Sequence, residues 1–145
     1  MDTRALVFDV FGTCVDWRGT IIREARRWSR DLGRPIDGEG LADAWRAAYG
    51  PSMEEVKSGR RPFTYLDTLH RETLDRIAGR FGLGGLEEKT LAHINRVWHR
   101  LDPWPDTVPG LRRLRAKFLL APLSNGGVAL LTRMAKRAAL PWDLV

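Results

Sequence analysis

Asp9 is a carboxylate that follows a short apolar run and precedes the turn-forming residues Phe11-Gly12-Thr13. A carboxylate flanked by the amides of a tight turn is well placed for covalent catalysis, because the N–H groups steady its charge and direct one oxygen at a substrate. The hydroxyl of Thr13 is placed either to bond that carboxylate or to support the turn. The ordinary alternative is that Asp9 only terminates a strand or caps a helix.

A second polar turn, Ser124-Asn125-Gly126-Gly127, follows another apolar run. The Ser124 hydroxyl and the Asn125 amide are both suited to orienting an anion. The same residue types also build tight turns that have no chemical role, so this motif alone is open to either interpretation.

The surrounding sequence predicts the elements that position these two turns. Apolar runs at residues 5–8 and 118–123 predict buried strands, and a third strand is expected to open at Trp142. Amphipathic spacing predicts helices over residues 19–32, 41–49, 65–81, 87–101, 111–117 and 128–139. Residues 52–62 are ambiguous, with a short helix followed by a basic loop as one solution. Prolines at 103, 105 and 109 indicate a stiff connection in which no helix continues.

This order of elements predicts a parallel α/β sheet with a block of helices inserted after its first strand. The block is too long for a simple crossover, so we assign residues 15–102 to a helical cap and residues 1–14 and 103–145 to the sheet core. Ligands of open parallel sheets bind beyond the carboxyl ends of the strands. Asp9 and Ser124 are therefore expected to meet at that edge.

Composition narrows the class of protein. The 145 residues suffice for one compact domain or for a small core with an inserted lobe, and the net charge is +6. The arginines lie at helical spacing, typical of a solvated face, so we predict no nucleic-acid partner, although a positive field would attract small anions.

Cys14 is the single cysteine, which suits a reducing cytosol. With neither a signal peptide nor a membrane-spanning run, we expect a cytoplasmic protein without a membrane partner.

The motifs that carry these residues resemble those of a known superfamily. The segment VFDVFGTCVDW resembles the first motif of the haloacid dehalogenase (HAD) superfamily, and LLAPLSNGG resembles its second. The segments LADAWRAAYG and RLDPWPDTVPGLRRLRAK extend the resemblance to the type II, or L-2-haloacid, dehalogenases along nearly the whole chain. The resemblance implies a Rossmann-like core with an α-helical cap. It also implies hydrolysis of a small 2-haloacid to a 2-hydroxy acid and a halide ion.

One position separates dehalogenases from other members of this superfamily. Phosphatases and mutases carry a second Asp two residues after the nucleophile, and this Asp protonates the leaving oxygen. Here that position is Phe11, which cannot donate a proton. Because a halide leaves without protonation, Phe11 favours attack on a carbon–halogen bond without metal or cofactor. The alternative, a small-molecule phosphatase, would show dependence on magnesium.

The resemblance also implies roles for individual residues. Asp9 would be the nucleophile, oriented by Thr13, with Val10 and Phe11 beside the substrate. Ser124 would bind the substrate carboxylate, while Asn125 and Arg46 would hold the departing halide. Arg46 also has an ordinary interpretation as a solvated helix residue. The three histidines, His70, His93 and His99, are predicted to be structural or exposed.

Family members continue past the second motif to a lysine that stabilises the nucleophile and an acidic residue near the attacking water. Neither has a counterpart here, so the chain resembles an N-terminal part whose core is incomplete at the C-terminus. We therefore expect weak or no turnover from these 145 residues alone. A non-catalytic piece that works by association with another chain is the third hypothesis. The resemblance also implies a homodimer.

Overall fold

The computed structural model of the protein describes residues 3–145. These residues form two compact units. The first comprises the residues up to Trp17 together with Trp98–Val145, and the second is Arg18–Val97. The sequence prediction placed the same two divisions three to five residues away, after residues 14 and 102. That the second unit serves as a cap stays a prediction.

The first unit contains a two-stranded parallel sheet, a second small ladder and two helices. Strand β1 pairs in parallel with strand β4, in a register that joins Ala5 to Leu119 and Phe8 to Pro122. Strands β2 and β3 form a short antiparallel ladder, and helix α6 packs against β4. The bounds are β1 Ala5–Phe8, β2 Val15–Asp16, β3 Asp102–Pro103, α6 Thr107–Arg115, β4 Leu119–Pro122 and α7 Val128–Ala138. The predicted α/β fold with a parallel sheet is confirmed.

The second unit is helical, with α4 in contact with α2, α3 and α5. Its α-helices are α2 Gly38–Ala47, α3 Tyr49–Lys57, α4 Leu66–Ile77 and α5 Glu88–Asn95, together with nearly all of α1, Trp17–Asp31. Asp37 caps α2, because its carboxylate accepts a hydrogen bond from the Gly40 amide at 2.9 Å. The indole of Trp45 is buried and donates to the His70 carbonyl at 2.9 Å.

Several predicted boundaries were wrong, and proline explains two of them. Helix α6 begins at Thr107 rather than at residue 111, because Pro109 lies in its first turn, where a missing N–H breaks no intrahelical bond. For the same reason α3 accommodates Pro51 and begins at Tyr49, directly after α2. Helices predicted to run to residues 81 and 101 instead tighten into 3₁₀ turns at Ala78–Phe81 and Arg96–His99.

The strands also differ from prediction. The ladder between β2 and β3 was not predicted, because Pro103 was assigned to a connection. No strand is assigned at residues 142–145, where the sequence predicted a third one. Asp143 nevertheless lies along β4, where its amide donates to the Leu120 carbonyl at 2.8 Å. Its carboxylate accepts from the Leu120 amide at 2.9 Å.

Candidate active site

Asp9 follows β1 directly, and its side chain is exposed. The Leu123 amide donates to the Phe8 carbonyl at 2.7 Å, so the parallel pairing of β1 and β4 continues to the ends of both strands. The residues that come next, Asp9 and Ser124, therefore lie at the same edge of the sheet. This is the edge at which α/β sheets bind their ligands.

The loop after Asp9 folds back on itself. The amides of Cys14 and Val15 both donate to the Val10 carbonyl, at 2.9 and 3.2 Å, and the Gly12 amide donates to the Val15 carbonyl at 3.0 Å. Gly12 has φ +95°, a conformation that favours glycine. The compact loop brings the Thr13 hydroxyl to 2.7 Å from Asp9 Oδ2, to which it donates a hydrogen bond. Thr13 therefore fixes one oxygen of the Asp9 carboxylate, Oδ2, and does not contact the other oxygen.

Trp104 and Thr107, which are distant from this loop in sequence, hold it by hydrogen bonds. The Trp104 indole N–H donates to the Gly12 carbonyl at 3.0 Å, and the Trp104 amide donates to the Cys14 carbonyl at 3.2 Å. The Thr107 hydroxyl donates to the same Cys14 carbonyl at 2.9 Å. Sequence reasoning missed both roles, because no local pattern links residues about ninety positions apart. The contacts follow from the β2–β3 ladder, which brings Pro103 opposite Val15.

Cys14 contacts the backbone of Asp9. Its side chain is buried, and its thiol donates to the backbone carbonyl of Asp9 at 3.3 Å. Burial, with a smaller contribution from the Asp9 charge, raises the pKa of the Cys14 thiol to about 11. The thiol is therefore neutral at physiological pH and does not act as a nucleophile.

An aromatic cluster flanks the loop on its apolar side. The ring of Phe11 meets the buried Trp98 edge-on, with centroids 6.1 Å apart, and Trp98 stacks on Trp17 at 6.5 Å. Phe11 is held in place by this packing. The position two residues after Asp9 thus presents hydrocarbon, with no group that could protonate a leaving oxygen.

The second turn leads into the N-terminus of α7. The Ser124 hydroxyl accepts a hydrogen bond from the Gly126 amide at 3.2 Å, so its own proton can be donated to a ligand. Asn125 is exposed, and α7 begins three residues later at Val128. Hydroxyl, amide and helix N-terminus together favour an anion at this position.

Two further residues, Val10 and Arg46, were predicted to belong to the site. Val10 is fully buried, so only its backbone can meet a substrate. Arg46 is a half-buried residue of α2 in the second unit, and its guanidinium lies over the Tyr49 ring at 4.5 Å from the centroid. The first unit thus gathers Asp9, Thr13, Ser124 and Asn125. The catalytic role of each of these residues stays a prediction.

Residues 3–145 contain no group of three or more His, Cys, Asp or Glu side chains arranged to hold a metal ion. No helix among them has the length and apolar character to cross a membrane.

Comparison with known proteins identifies what the chain is similar to. No family model matches it. It is 25% identical, over 138 residues, to the (S)-2-haloacid dehalogenase H-109 of Pseudomonas putida, a match that covers 94% of this chain and 58% of the relative. The curated and structural neighbours point to L-2-haloacid dehalogenases of the HAD superfamily.

Solved structures give the same result at higher similarity. The L-2-haloacid dehalogenase PA0810 superposes with a TM-score of 0.94 and 47% identity, over 99% of this chain and 61% of that one. The defluorinating L-2-haloacid dehalogenase Rha0230 gives 0.89 and 42%, over 99% and 60%. The enzyme of Xanthobacter autotrophicus with chloropropionic acid covalently bound gives 0.81 and 28%, over 99% and 56%. The chain thus spans about three fifths of the length of these relatives.

Proposed function

We propose that this chain carries the nucleophile-bearing part of a hydrolase that removes halide from small 2-haloalkanoic acids and produces 2-hydroxy acids. The observation that carries the proposal is the exposed Asp9 carboxylate at the end of β1, held by Thr13 at 2.7 Å, with Phe11 where a phosphatase needs an acid. The similarity to L-2-haloacid dehalogenases supports the same chemistry.

In the first half-reaction the free oxygen of Asp9 attacks C2 of the substrate. A C–O bond forms, the carbon–halogen bond breaks, and the halide departs with the bonding electron pair. Asp9 is left as an ester of the 2-hydroxy acid. Thr13 acts here by fixing the other oxygen, so that the attacking oxygen is aimed before substrate arrives. The covalently bound chloropropionic acid of the Xanthobacter enzyme supports a covalent route.

In the second half-reaction water attacks the Asp9 carboxyl carbon. The ester bond on the enzyme side breaks, the 2-hydroxy acid leaves, and the Asp9 carboxylate is restored with one oxygen from water. We assign no residue of 3–145 to the proton that this water must lose. The thiol of Cys14 is buried and protonated and does not take that part.

Substrate binding is proposed from the same residues. The Ser124 hydroxyl and the amides before α7 would hold the substrate carboxylate, while Asn125 and Arg46 would receive the halide. Guanidinium suits a halide because it is permanently charged and weakly hydrated. Phe11 would pack against the carbon chain, with Val10 contributing through its backbone. The helical unit would act as the cap that carries Arg46.

The test is a burst experiment on the 145-residue chain with L-2-chloropropionate in excess, in which ester formation on Asp9 is followed and the weak turnover expected of this chain leaves the ester in place. We expect one chloride released per chain, insensitive to a chelator, together with a mass gain of one chlorine-free propionate on the peptide that contains Asp9. Asp9→Asn should abolish both signals at unchanged circular dichroism. Release of phosphate from a phosphate ester in a magnesium-dependent manner, without chloride release, would refute the proposal and support a phosphatase.

Two further features belong to the proposal. A cytoplasmic location is supported by Cys14 as the single cysteine, and a homodimer is proposed from the resemblance alone. Analytical ultracentrifugation of the purified chain tests the homodimer directly.

A further inference from the structure

The backbone carbonyls on either side of Thr13 both accept hydrogen bonds from one residue, Trp104. Its indole N–H donates to the Gly12 carbonyl at 3.0 Å, and its backbone amide donates to the Cys14 carbonyl at 3.2 Å. Thr13 lies between these two acceptors, and its hydroxyl is 2.7 Å from Asp9 Oδ2. Trp104 thus holds both ends of the short segment that carries this hydroxyl.

The position of the Thr13 hydroxyl is not set by packing. Thr13 is exposed, and so is Gly12 before it, which has φ +95°. Glycine adopts many backbone conformations, so a loop that contains it becomes rigid only where other contacts restrain it. Hydrogen bonds within the loop engage its amides, whereas the Gly12 and Cys14 carbonyls accept from residues outside it. The restraint on Thr13 therefore comes from those outside residues.

We infer that Trp104 is a positioning residue for the nucleophile: by holding the two carbonyls that flank Thr13, it keeps the Thr13 hydroxyl on one oxygen of Asp9. The inference rests on the proposed function, in which the other oxygen of Asp9 attacks the substrate carbon. Trp104 acts through Thr13 and takes no part in the bonds that form and break. Thr107 supports the same segment, because its hydroxyl donates to the Cys14 carbonyl at 2.9 Å.

The indole bond can be removed while the backbone bond is kept. Trp104→Phe retains a ring and the backbone amide of residue 104 and loses the indole N–H. Trp104 is 40% exposed and Gly12 is exposed, so water can bind the Gly12 carbonyl in the variant, and the loss of folding stability should be small. A water molecule satisfies that carbonyl without fixing its place, so the segment around Thr13 should become mobile.

The first measurement reads the Thr13 side chain in the absence of substrate. Three-bond scalar couplings between the Thr13 methyl carbon and the backbone, measured by NMR, report the χ1 rotamer. We expect a single rotamer in the wild type and couplings averaged over several staggered rotamers in Trp104→Phe. Trp142→Phe is the matched control, since Trp142 is another tryptophan of the first unit and its ring contacts Phe8. It should leave the Thr13 couplings unchanged.

The second measurement is the burst of ester formation on Asp9 from L-2-chloropropionate. We expect Trp104→Phe to lower the limiting rate about 3- to 10-fold, as for the loss of one neutral hydrogen bond, at an unchanged half-saturating concentration. In a Thr13→Val background the same substitution should change the rate by less than about twofold, because the hydroxyl that Trp104 positions is gone. The effects of two independent groups would multiply instead.

Thr107→Val provides a second variant should Trp104→Phe not fold. It removes the hydroxyl that bonds the Cys14 carbonyl and leaves Trp104 in place. We expect it to average the Thr13 couplings and to slow ester formation in the wild-type background only. Urea unfolding of every variant verifies that a folded chain is measured.

Three results would overturn the inference. One is a single Thr13 rotamer in a folded Trp104→Phe or Thr107→Val chain. Another is multiplication of the Trp104→Phe and Thr13→Val effects, which would show that the indole acts by a separate route. The third is a raised half-saturating concentration at an unchanged limiting rate, because the indole would then contact substrate directly. A wild-type chain that forms no ester would count against the dehalogenase proposal, whereas the NMR couplings would still decide whether Trp104 holds Thr13.

Discussion

At the scale of single residues, the carboxylate of Asp9 depends on one hydroxyl. We predict that Thr13→Val slows ester formation on Asp9 about 10- to 100-fold, because a hydrogen bond to a charged group is worth about 1.5–3 kcal/mol. Thr13→Ser keeps the hydroxyl and should retain most of the rate. Single-turnover mass spectrometry with L-2-chloropropionate measures both variants. A Thr13→Val chain as fast as the wild type would show that Asp9 is positioned by other groups.

Cys14 predicts a dependence of stability on alkaline pH. Its pKa is about 11 in the folded chain against an ordinary value of 9.0. Since the folded state holds the thiol proton more tightly, this contribution to stability is complete below pH 9 and is lost as the pH rises through 11. The loss amounts to about 2–3 kcal/mol, from 1.36 kcal/mol per pKa unit.

The measurement is the free energy of unfolding in urea at pH values from 9 to 11, for the wild type and for Cys14→Ala. The variant should be less stable at neutral pH, because a buried side chain has been shortened, but should lose less stability as the pH rises. Lysines and tyrosines titrate over the same range in both proteins and cancel in the difference. Equal slopes would contradict the prediction.

At the scale of elements, one glycine ends the α4 segment of the helical unit. Gly82 has φ +85°, and a Cβ built on it would lie 2.3 Å from the Pro35 carbonyl oxygen. We predict that Gly82→Ala destabilises the protein by about 2 kcal/mol or more, because backbone strain and a clash with main chain add up. Gly85→Ala has a similar φ of +69° with nothing within 4 Å, and should cost about 1 kcal/mol. Urea unfolding that gave equal losses would rule out the clash.

Local sequence patterns predicted the elements that local forces determine. The apolar run that forms β1 and the spacing of Ala25 and Trp28 on α1 are readable in the chain. The predicted start of α6 was wrong because the sequence does not distinguish a proline in the first turn of a helix, as Pro109 is, from a proline in a connection. The β2–β3 ladder escaped prediction because each strand has only two residues and pairs across most of the chain.

The candidate site likewise contains some contacts that could be predicted from sequence and others that could not. Thr13 could be paired with Asp9 from sequence, because only four residues separate them. Trp104 and Thr107 could not be connected to the loop, since their contacts depend on tertiary pairing. Whether Arg46 faces Asp9 depends on an arrangement of two units that no residue pattern encodes.

At the scale of the whole molecule, the net charge of +6 predicts attraction of anionic substrates. Raising ionic strength from 0.01 M to 0.15 M shortens the Debye length from about 30 Å to about 8 Å. We predict that the second-order rate constant for ester formation from L-2-chloropropionate falls several-fold over this range, while the rate at saturation stays constant. The uncharged 2-chloropropionamide is the control and should show no salt dependence. Equal behaviour of both substrates would contradict steering by the net charge.

Because Trp104 holds the loop after Asp9, that loop cannot be completed until Trp104 has been synthesised. The Trp104 indole that holds Gly12 belongs to a residue that the ribosome adds 92 positions after that glycine. At about 5–20 residues per second, roughly 5–20 s pass between the two events. During that interval the whole helical unit is synthesised and can fold, while the loop after Asp9 still lacks its hydrogen bonds to Trp104. The loop that follows Asp9 can thus be fastened by Trp104 only after the whole helical unit has been made.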